Sequence, residues 1–192
     1  IAVLVGCMIV VALVINPLIV FINIRQNPYP LVFKCLKDSG IMAFFTRSSA
    51  ANIPVNMSLC ERLGLDEKQY SVSIPLGATI NMDGTSIMQG VAVIFIAQVY
   101  GMELTPAQLL TVIATAMIAS IGTAGIPSVG LIMLAMVLTS VGLPTEGIAL
   151  IMGIDRILDM LRTAVNITGD AVCTTIVSSQ NKELDRSIFN RD

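Results

Sequence analysis

Residues 46–54 read TRSSAANIP and interrupt an otherwise apolar stretch at 31–59. A second small and polar cluster, SIGTAGIPS at 120–128, interrupts the apolar stretch 106–142 in the same way. Three of the four flanks hold about 14 residues, roughly 21 Å of helix, and the flank 55–59 is shorter, so none is long enough to cross a bilayer alone. Both stretches are therefore predicted to enter the membrane and turn back as re-entrant helical hairpins.

Outside these hairpins, the segments 1–24, 71–100 and 147–179 are each long enough to span a bilayer as a helix, since about 20 helical residues cover the hydrocarbon. The 192 residues are 55% hydrophobic and 12% charged, with a mean hydropathy of +0.83. A soluble domain of this size needs more charge on its surface. The sequence therefore predicts an all-α membrane protein.

The placement of basic residues tests the re-entrant topology, because Lys and Arg collect in short cytoplasmic loops. If both hairpins turn back, all the basic loops lie on one side of the membrane. The loops on the other side carry Glu103 and Glu146 but no Lys or Arg. The tail 180–192 is then cytoplasmic. The basic stretches are 25–37, 60–70 and 181–192.

The resulting order is span, hairpin, span, hairpin, span, in which a hairpin plus a span repeats with inverted orientation. Transporters with inverted repeats place their sites where interrupted helices meet near the bilayer midplane. The chain starts at Ile1, already inside an apolar run, which predicts a piece of a longer protein.

Charge and residue types exclude several other functions. The net charge of −2 provides no basic surface for nucleic acid. The chain has no His and no CxxC spacing, so neither a zinc site nor a His-based catalytic triad is expected. Core packing is predicted for all four cysteines, which are Cys7, Cys35, Cys60 and Cys173.

Segment 147–179 carries a polar stripe formed by Asp155, Asp159, Arg162, Asn166 and Asp170. At 100° per residue these side chains fall within an arc of about 80° on one helix face. Internal ion pairs could explain such a stripe. However, three carboxylates face one Arg, and each charge costs at least ~2.5–3.5 kcal/mol at membrane depth. Bound cations would offset that excess, so a ligand and ion site is predicted.

Two more polar features accompany the stripe. Residues 81–85 read NMDGT, where Gly84 permits unwinding and the other side chains offer the oxygen ligands that hard cations prefer. An ordinary polar kink is the alternative. At the first hairpin tip, the backbone N–H groups of Ser48 and Ser49 could hold a carboxylate, or these small residues could simply allow close packing.

Four motifs in order, TRSSAANIPVN, PLGATINMDGT, ASIGTAGIPS and GIDRILDMLRTAVNITGD, resemble the glutamate transporter family of dicarboxylate/amino acid:cation symporters. The resemblance covers essentially the whole chain. It implies the C-terminal transport core of a homotrimer in the cell membrane, preceded by N-terminal scaffold helices. It also implies elevator-type alternating access, with Na⁺ as the coupling ion and no other cofactor.

By this resemblance, Arg162 pairs with the substrate's side-chain carboxylate and Asp159 takes its amino group. Each role suits its chemistry, because Arg presents a planar fork to a carboxylate and an Asp at membrane depth needs a cation. The other substrate-binding residues that the resemblance implies are Arg47, Ser48, Ser49, Thr85, Gly125, Ile126, Gly130, Thr163 and Asn166.

The family pattern also implies three sodium sites. One is formed by Gly77, Asn81, Asn166 and Asp170. A second is formed by Thr79 with carbonyl groups of Ser120, Ile121 and Thr123. A third uses Asn81 and Asp83 together with an earlier helix. Arg47 and Asp155 are expected to pair as the empty carrier rearranges, bridging hairpin tip and helix.

The first hairpin departs from typical glutamate carriers. TRSSAANIPVN followed by SLCERLG is closer to the bacterial sodium/serine-threonine branch, which lacks an Arg at position 162. The residue facing the substrate side chain sets selectivity, so aspartate or glutamate is favoured and serine or threonine is the main alternative. A C4-dicarboxylate has no amino group for Asp159.

Functions of other classes fit less well. An intramembrane aspartyl protease would need two facing carboxylates, and Asp83 with Asp170 are the available pair, but the GxGD pattern is missing. A passive channel is disfavoured because a stripe with both signs of charge forms a binding site better than a conducting ring. The chain is therefore predicted not to be an enzyme.

Overall fold

The computed structural model describes residues 1–123, 125–185 and 189, and it is built from α-helices. The described residues contain no β-strand, only an isolated bridge between Leu65 and Leu184. This agrees with the all-α prediction. In chain order the helices are α1 (Ala2–Ile24), α2 (residues 29–46), α3 (Ile53–Arg62), α4 (Glu67–Ile80), α5 (Asp83–Val99), α6 (Pro106–Ile121), α7 (Val129–Ser140) and α8 (Ala149–Gln180).

Both small and polar clusters break a helix. Between α2 and α3 the chain leaves the helix at Arg47, which has a left-handed φ of 55°, and the next helix begins at Ile53 with Pro54 in its first turn. Between α6 and α7 the helix ends at Gly122, and Ser128 has a φ of 61°. Residues in this region of φ seldom continue a right-handed helix, so each cluster separates two helical arms.

The two arms of each pair fold back on one another. In the first pair, Arg62 near the end of α3 lies 3.2 Å from Asp38 in α2. In the second pair, the Gln108 side chain at the start of α6 donates a 3.2 Å hydrogen bond to the Val141 carbonyl after α7. We call α2 with α3 the first hairpin, and α6 with α7 the second hairpin. Their re-entry from opposite sides of the membrane remains a prediction.

The long helix formed by α4 and α5 is interrupted inside the NMDGT sequence. Asn81 and Met82 have non-helical backbone angles, and helical geometry resumes at Asp83. By contrast, α8 runs unbroken for 32 residues, about 48 Å. By length and apolar composition, Ala2–Ile24 and Glu67–Val99 could each cross a membrane, whereas Pro106–Ile121 and Val129–Ser140 are apolar but shorter.

Helix α8 lies at the centre and joins two apolar clusters. Its residues Leu158 and Val165 pack with the start of α1, with α5 and with the second hairpin. Its residues Ala171, Val172 and Ile176 pack with the end of α1, with α4 and with the first hairpin. The polar stripe of α8 is thereby held where the two clusters meet, inside the bundle.

The cysteine prediction is only partly correct. Cys35 and Cys60 are fully buried between the arms of the first hairpin, and Cys7 is half-buried. Cys173 is exposed, because this face of α8 points out of the bundle together with Val177. The predicted tail begins near the end of α8, and its residues 186–188 and 190–192 lie outside the described residues.

Candidate functional site

The tips of the two hairpins meet. The amide of Ala50 donates a 3.1 Å hydrogen bond to the carbonyl of Gly125, and the Ser48 hydroxyl donates to the same carbonyl at 2.8 Å. A Cβ at Gly125 would lie 2.9 Å from the Ala50 nitrogen and 3.0 Å from the Ala78 carbonyl oxygen. The contact therefore depends on a residue without a side chain at position 125.

A small cavity lies beneath this contact. Its volume is about 10 Å³, close to the minimum that a single water requires. Ser48 is not among its lining residues, and its hydroxyl is bonded to the Gly125 carbonyl. The sequence did not mark Met82 as a cavity residue, although Met82 belongs to the NMDGT motif. The lining residues are Arg47, Ser49, Met82, Thr85, Thr123, Gly125, Ile126, Val129, Gly130, Asp159, Arg162, Thr163 and Asn166.

One wall of the cavity is a network of charged side chains. Arg162 Nη2 lies 2.6 Å from Asp159 Oδ1, and Arg162 Nη1 lies 3.9 Å from Asp155 Oδ1. The other Asp159 oxygen accepts a 3.1 Å hydrogen bond from the Ser128 amide. The side chains of all three α8 residues are no more than 4% exposed. Arg162 and Asp159 thus partner one another directly. Asp155 Oδ1 and Arg162 Nη1 are close enough to attract each other, but neither atom has a hydrogen-bond partner among the described residues.

The partner of Arg47 differs from the expected one. Arg47 Nη1 lies 3.8 Å from Asp159 Oδ2, whereas Asp155 has Arg162 as its ion-pair partner. The expected pairing of Arg47 with Asp155 is therefore not the one in this structure. The reason is geometric, because Asp159 lies one turn and Asp155 two turns before Arg162 on the same helix, and the guanidinium of Arg162 extends toward both carboxylates. Arg47 still bridges the first hairpin tip to α8, through the other carboxylate.

Two glycines shape the space around Arg162. A Cβ at Gly130, at the start of α7, would lie 2.5 Å from Arg162 Nη1. A Cβ at Gly84, in the first turn of α5, would lie 2.8 Å from the Arg162 carbonyl oxygen. Real Cβ atoms essentially never come this close to other heavy atoms. The guanidinium therefore occupies a place that only a glycine at position 130 leaves open.

Asn166 joins α8 to the interruption between α4 and α5. Its side-chain oxygen accepts a 2.8 Å hydrogen bond from the Gly84 amide. Its side-chain nitrogen lies 3.3 Å from the Thr85 hydroxyl and 3.2 Å from the Met82 sulfur. The non-helical backbone of the NMDGT motif is thus held against the middle of the polar stripe. Thr163 lines the same wall, and its hydroxyl donates to the Asp159 carbonyl.

One turn further along α8, Asp170 completes a second polar group. The Asn81 side chain donates to Asp170 Oδ1 at 2.9 Å and to the Asn166 carbonyl at 3.3 Å. A Cβ at Gly77 would lie 2.6 Å from Asp170 Oδ1, so the α4 backbone approaches closely. Asp170 Oδ2 is buried, and no described residue hydrogen-bonds it.

This group fits a hard monovalent cation. A buried carboxylate oxygen without a donor is costly, and a cation would compensate both its charge and its lone pairs. The oxygens placed here are the Asp170 carboxylate and the Asn166 carbonyl, with the Asn81 amide nitrogen beside them. Such oxygens suit a hard cation such as Na⁺ rather than a transition metal. All four residues expected at the first sodium site thus meet here, namely Gly77, Asn81, Asn166 and Asp170.

The residues expected at the third sodium site are also close together. The side chains of Asn81 and Asp83 both lie beside Gly169 in α8. A Cβ on Gly169 would be 2.6 Å from Asn81 Nδ2 and 3.5 Å from Asp83 Oδ2. Asp83 is exposed on the surface of the described chain. This exposure agrees with the expectation that another segment completes that site.

The residues expected at the second sodium site are less closely assembled. The hydroxyl of Thr79 donates to the Leu76 carbonyl of its own helix and is exposed. The Thr123 hydroxyl donates to the Ala119 carbonyl, and the Ser120 hydroxyl donates to the Gln89 side-chain oxygen. Ile121 is half exposed. Within the described residues no hydrogen bond joins Thr79 to the second hairpin, although the neighbouring Ala78 carbonyl packs against Gly125.

Two hairpin tips over a small cavity, with paired charges held inside an apolar helical bundle, are the arrangement in which membrane transport proteins place their sites. The family described as Sodium:dicarboxylate symporter family matches residues 1–180. The chain therefore belongs to this family. It is a transporter and not an enzyme, it is part of a multi-pass membrane protein, and its fold is glutamate-transporter-like. The resemblance drawn from the four sequence motifs is confirmed.

Proposed function

We propose that this chain binds an acidic amino acid, aspartate or glutamate, and carries it together with Na⁺. Family membership establishes cation-coupled symport and leaves the substrate open. The observation that carries the proposal is the Arg162–Asp159 pair, in which a guanidinium and a carboxylate lie 2.6 Å apart in the wall of a small cavity. A ligand that carries both an anion and a cation matches both halves of that pair.

Binding would exchange partners within this pair. The guanidinium of Arg162 can hold a carboxylate through two parallel hydrogen bonds, and Asp159 can accept hydrogen bonds from an ammonium group. An α-amino acid with a side-chain carboxylate therefore replaces the internal contact without leaving either charge unpaired. Its second carboxylate would meet Asn166, Thr85 and the backbone of the tip at Ser49.

The cavity has to enlarge for this exchange. A volume of about 10 Å³ does not hold an amino acid, so the hairpin tips must move apart as the ligand enters. The contacts that must break are few, because the tips are joined through the Gly125 carbonyl with Ala50 and Ser48. We assign the role of gate to this contact.

Coupling to Na⁺ rests on Asp170. Its unpartnered oxygen, the Asn81 side chain and the backbone at Gly77 form an oxygen-rich group directly behind Asn166. Asn166 contacts both this group and the cavity wall at Thr85. Ion binding at Asp170 would therefore fix the position of a substrate-binding side chain, and this shared residue gives a physical route for coupling.

Two other substrates compete with this proposal. The first hairpin's resemblance to the serine/threonine branch favours a neutral amino acid, which would leave Arg162 on its two internal carboxylates. A C4-dicarboxylate agrees with the family description. It would supply anions to Arg162 and offer Asp159 no cation in exchange.

Uptake by the full-length transporter in proteoliposomes tests both substrate and ion. External Na⁺ is replaced by choline with and without an imposed pH gradient, and radiolabelled aspartate, serine and succinate are compared. We expect concentrative aspartate uptake that is lost in choline and not restored by a proton gradient. Preferred uptake of serine or succinate would overturn the acidic amino acid, and uptake driven by protons alone would overturn Na⁺.

A further inference from the structure

A second group of buried polar side chains lies where the first hairpin packs on α8. It consists of Ser39 in α2, Asn52 immediately before α3, and Asn56 in the first turn of α3. All three side chains are fully buried, and none of them lines the substrate cavity. Polar atoms are costly to bury unless they are hydrogen-bonded, so this group needs an explanation of its own.

Each asparagine uses its side-chain nitrogen to join two helices. Asn52 Nδ2 donates a 2.6 Å hydrogen bond to the Ser39 hydroxyl, which lies across the hairpin in the wider, π-helical turn Leu36–Gly40 of α2. Asn56 Nδ2 donates a 3.1 Å hydrogen bond to the Ile167 carbonyl of α8. The helices α2, α3 and α8 therefore meet at this group.

The side-chain oxygens of the two asparagines lack donors. Asn52 Oδ1 and Asn56 Oδ1 are both buried, and no described residue hydrogen-bonds either of them. Leaving such acceptors unpaired is costly, and proteins pair them with other groups or with ordered water. Asn52 has helical backbone angles, and residues four apart on a helix have Cβ atoms about 5–6 Å apart. One small donor can therefore reach both oxygens.

Water is the ligand whose chemistry fits this group. It offers two O–H donors, one for each asparagine oxygen. It can also accept a bond from the Ser39 hydroxyl, whose own hydrogen is still available after the oxygen has accepted from Asn52. Three hydrogen bonds are typical of a buried water. A cation fits less well, because the three side chains are neutral and would leave its charge uncompensated.

The group lies directly behind the tip of the first hairpin. The backbone amide of Asn52 donates to the carbonyls of Ser48 and Ser49, both at 3.2 Å. The Ser48 hydroxyl in turn donates to the Gly125 carbonyl, where the two tips meet. Fixing the Asn52 side chain therefore also fixes the backbone that carries the contact between the tips.

We propose that Asn52, Asn56 and Ser39 bind one buried water molecule, and that this water site holds the tip of the first hairpin in place. The two asparagines are positioning residues, because they act through Ser48 and Ser49 rather than by touching substrate or ion. The water site follows from the hydrogen bonding alone, whereas its effect on transport rests on the proposed role of the tip contact as a gate.

Cryo-electron microscopy of the full-length transporter, at a resolution that shows ordered water, tests the site directly. We expect one density at about 2.7–3.2 Å from both asparagine oxygens and from Ser39 Oγ. The lack of such a density, or a protein donor on each oxygen, would overturn the proposal. A density whose strength follows the Na⁺ concentration would identify a cation and would overturn it equally.

A double-mutant cycle measured by thermal unfolding distinguishes a shared water from two independent hydrogen bonds. Asn52→Leu and Asn56→Leu each leave the other oxygen without its donor, so each should lower the melting temperature by roughly 3 °C. The double variant should lose clearly less than the sum, because neither oxygen then remains unpaired. The matched control cycle combines Asn56→Leu with Cys60→Ala, since Cys60 is fully buried one turn further along α3. Strict additivity for the two asparagines, or equal coupling in the control cycle, would refute a shared water.

The positioning role is tested by the accessibility of the tip. In a Cys173→Ser background, the cysteine of Ser49→Cys should react about fivefold faster with a thiol reagent once Asn52→Leu is added, the factor that corresponds to one ordinary hydrogen bond. Adding Cys60→Ala instead should leave the rate unchanged. An unchanged rate with Asn52→Leu would refute the positioning role. Neither unfolding nor labelling involves transport, so a wrong substrate or ion leaves these tests intact.

Discussion

Arg162 Nη2 lies 2.6 Å from Asp159 Oδ1, so the two charges of the substrate cavity are bonded to each other. They lie three residues apart on α8, one turn of helix, and both are buried. Breaking a buried pair by removing one partner costs several kcal/mol, whereas exchanging both partners for a ligand of matching charge does not. Under the proposed function, this internal pair would select for a zwitterionic ligand with an additional carboxylate.

Replacing Arg162 by Cys should change the substrate rather than abolish binding of all amino acids. We expect aspartate uptake to fall about 10- to 100-fold, because a charge-assisted hydrogen bond contributes ~1.5–3 kcal/mol. Uptake of serine or another neutral amino acid should appear or rise, since Asp159 can still receive the ammonium group. The control is Arg156→Cys, an exposed arginine on the same helix. Unchanged aspartate uptake in Arg162→Cys would refute the assignment.

Gly130→Ala should act on the same guanidinium from the opposite side. The new Cβ would lie 2.5 Å from Arg162 Nη1, so the side chain must shift away from its place in the cavity wall. We expect the KM for aspartate to rise about tenfold, because misplacing a binding group by an ångström weakens a directional contact. Gly153→Ala is the control, since a Cβ there would meet nothing within 4 Å. If both variants take up aspartate like the wild type, Gly130 has no such role.

Gly125→Ala should disturb the contact between the hairpin tips. Its Cβ would press against backbone atoms of Ala50 and Ala78 at 2.9 and 3.0 Å, and backbone cannot rotate away as a side chain can. We expect uptake to fall about tenfold and a cysteine introduced at Ser49 to become more accessible to a thiol reagent.

The matched control for this prediction is Gly122→Ala in the same tip. A Cβ there would lie 3.9 Å from its nearest neighbour, an ordinary contact distance, so uptake should stay within about twofold of wild type. Equal losses in the two variants would mean that the tip is sensitive to any substitution. Such a result would argue against a specific contact at Gly125.

Asp170→Asn should weaken sodium binding while preserving the shape of the side chain. The Asp170 carboxylate has an unpartnered oxygen and a full negative charge, whereas the Asn amide is neutral and has only one oxygen. We expect the Na⁺ concentration for half-maximal aspartate binding to rise at least about tenfold, since ligand charge sets cation affinity. Isothermal titration of aspartate at a series of Na⁺ concentrations measures this. The control is Glu103→Gln in an exposed loop, which should leave the Na⁺ dependence as in the wild type. An unaltered Na⁺ dependence in Asp170→Asn would exclude Asp170 from the sodium site.

Much of the helical framework was predictable from local chemistry. The breaks at 47–52 and 122–128 follow from clusters of small and polar residues with Gly and Pro, which act on the backbone within a few positions. The stripe on α8 follows from helical periodicity alone. The exposed Cys173 was not predictable, because periodicity does not tell which face of a helix its neighbours will cover.

The pairing of charges illustrates the same limit more clearly. The family resemblance implied that Arg47 and Asp155 pair as the empty carrier rearranges, whereas in this structure Arg47 lies nearest Asp159 and Asp155 nearest Arg162. Three arginine–carboxylate contacts compete within one small volume. Which contact forms depends on ångström-scale distances that spacing along a chain does not define. Met82 was missed for a related reason, since an apolar residue becomes part of a cavity wall only through the packing around it.

The sequence by itself thus determined the class of protein, the interrupted helices and the set of polar residues available for a site, because these depend on composition and short-range periodicity. Only the tertiary structure brought Ser48 to Gly125, 77 residues away, and Asn81 to Asp170, 89 residues away. It also decided that the cavity is too small for an amino acid and that Arg162 is bonded to Asp159. The physical reason is that long-range contacts follow from the joint packing of all helices around α8, and no local segment encodes that packing.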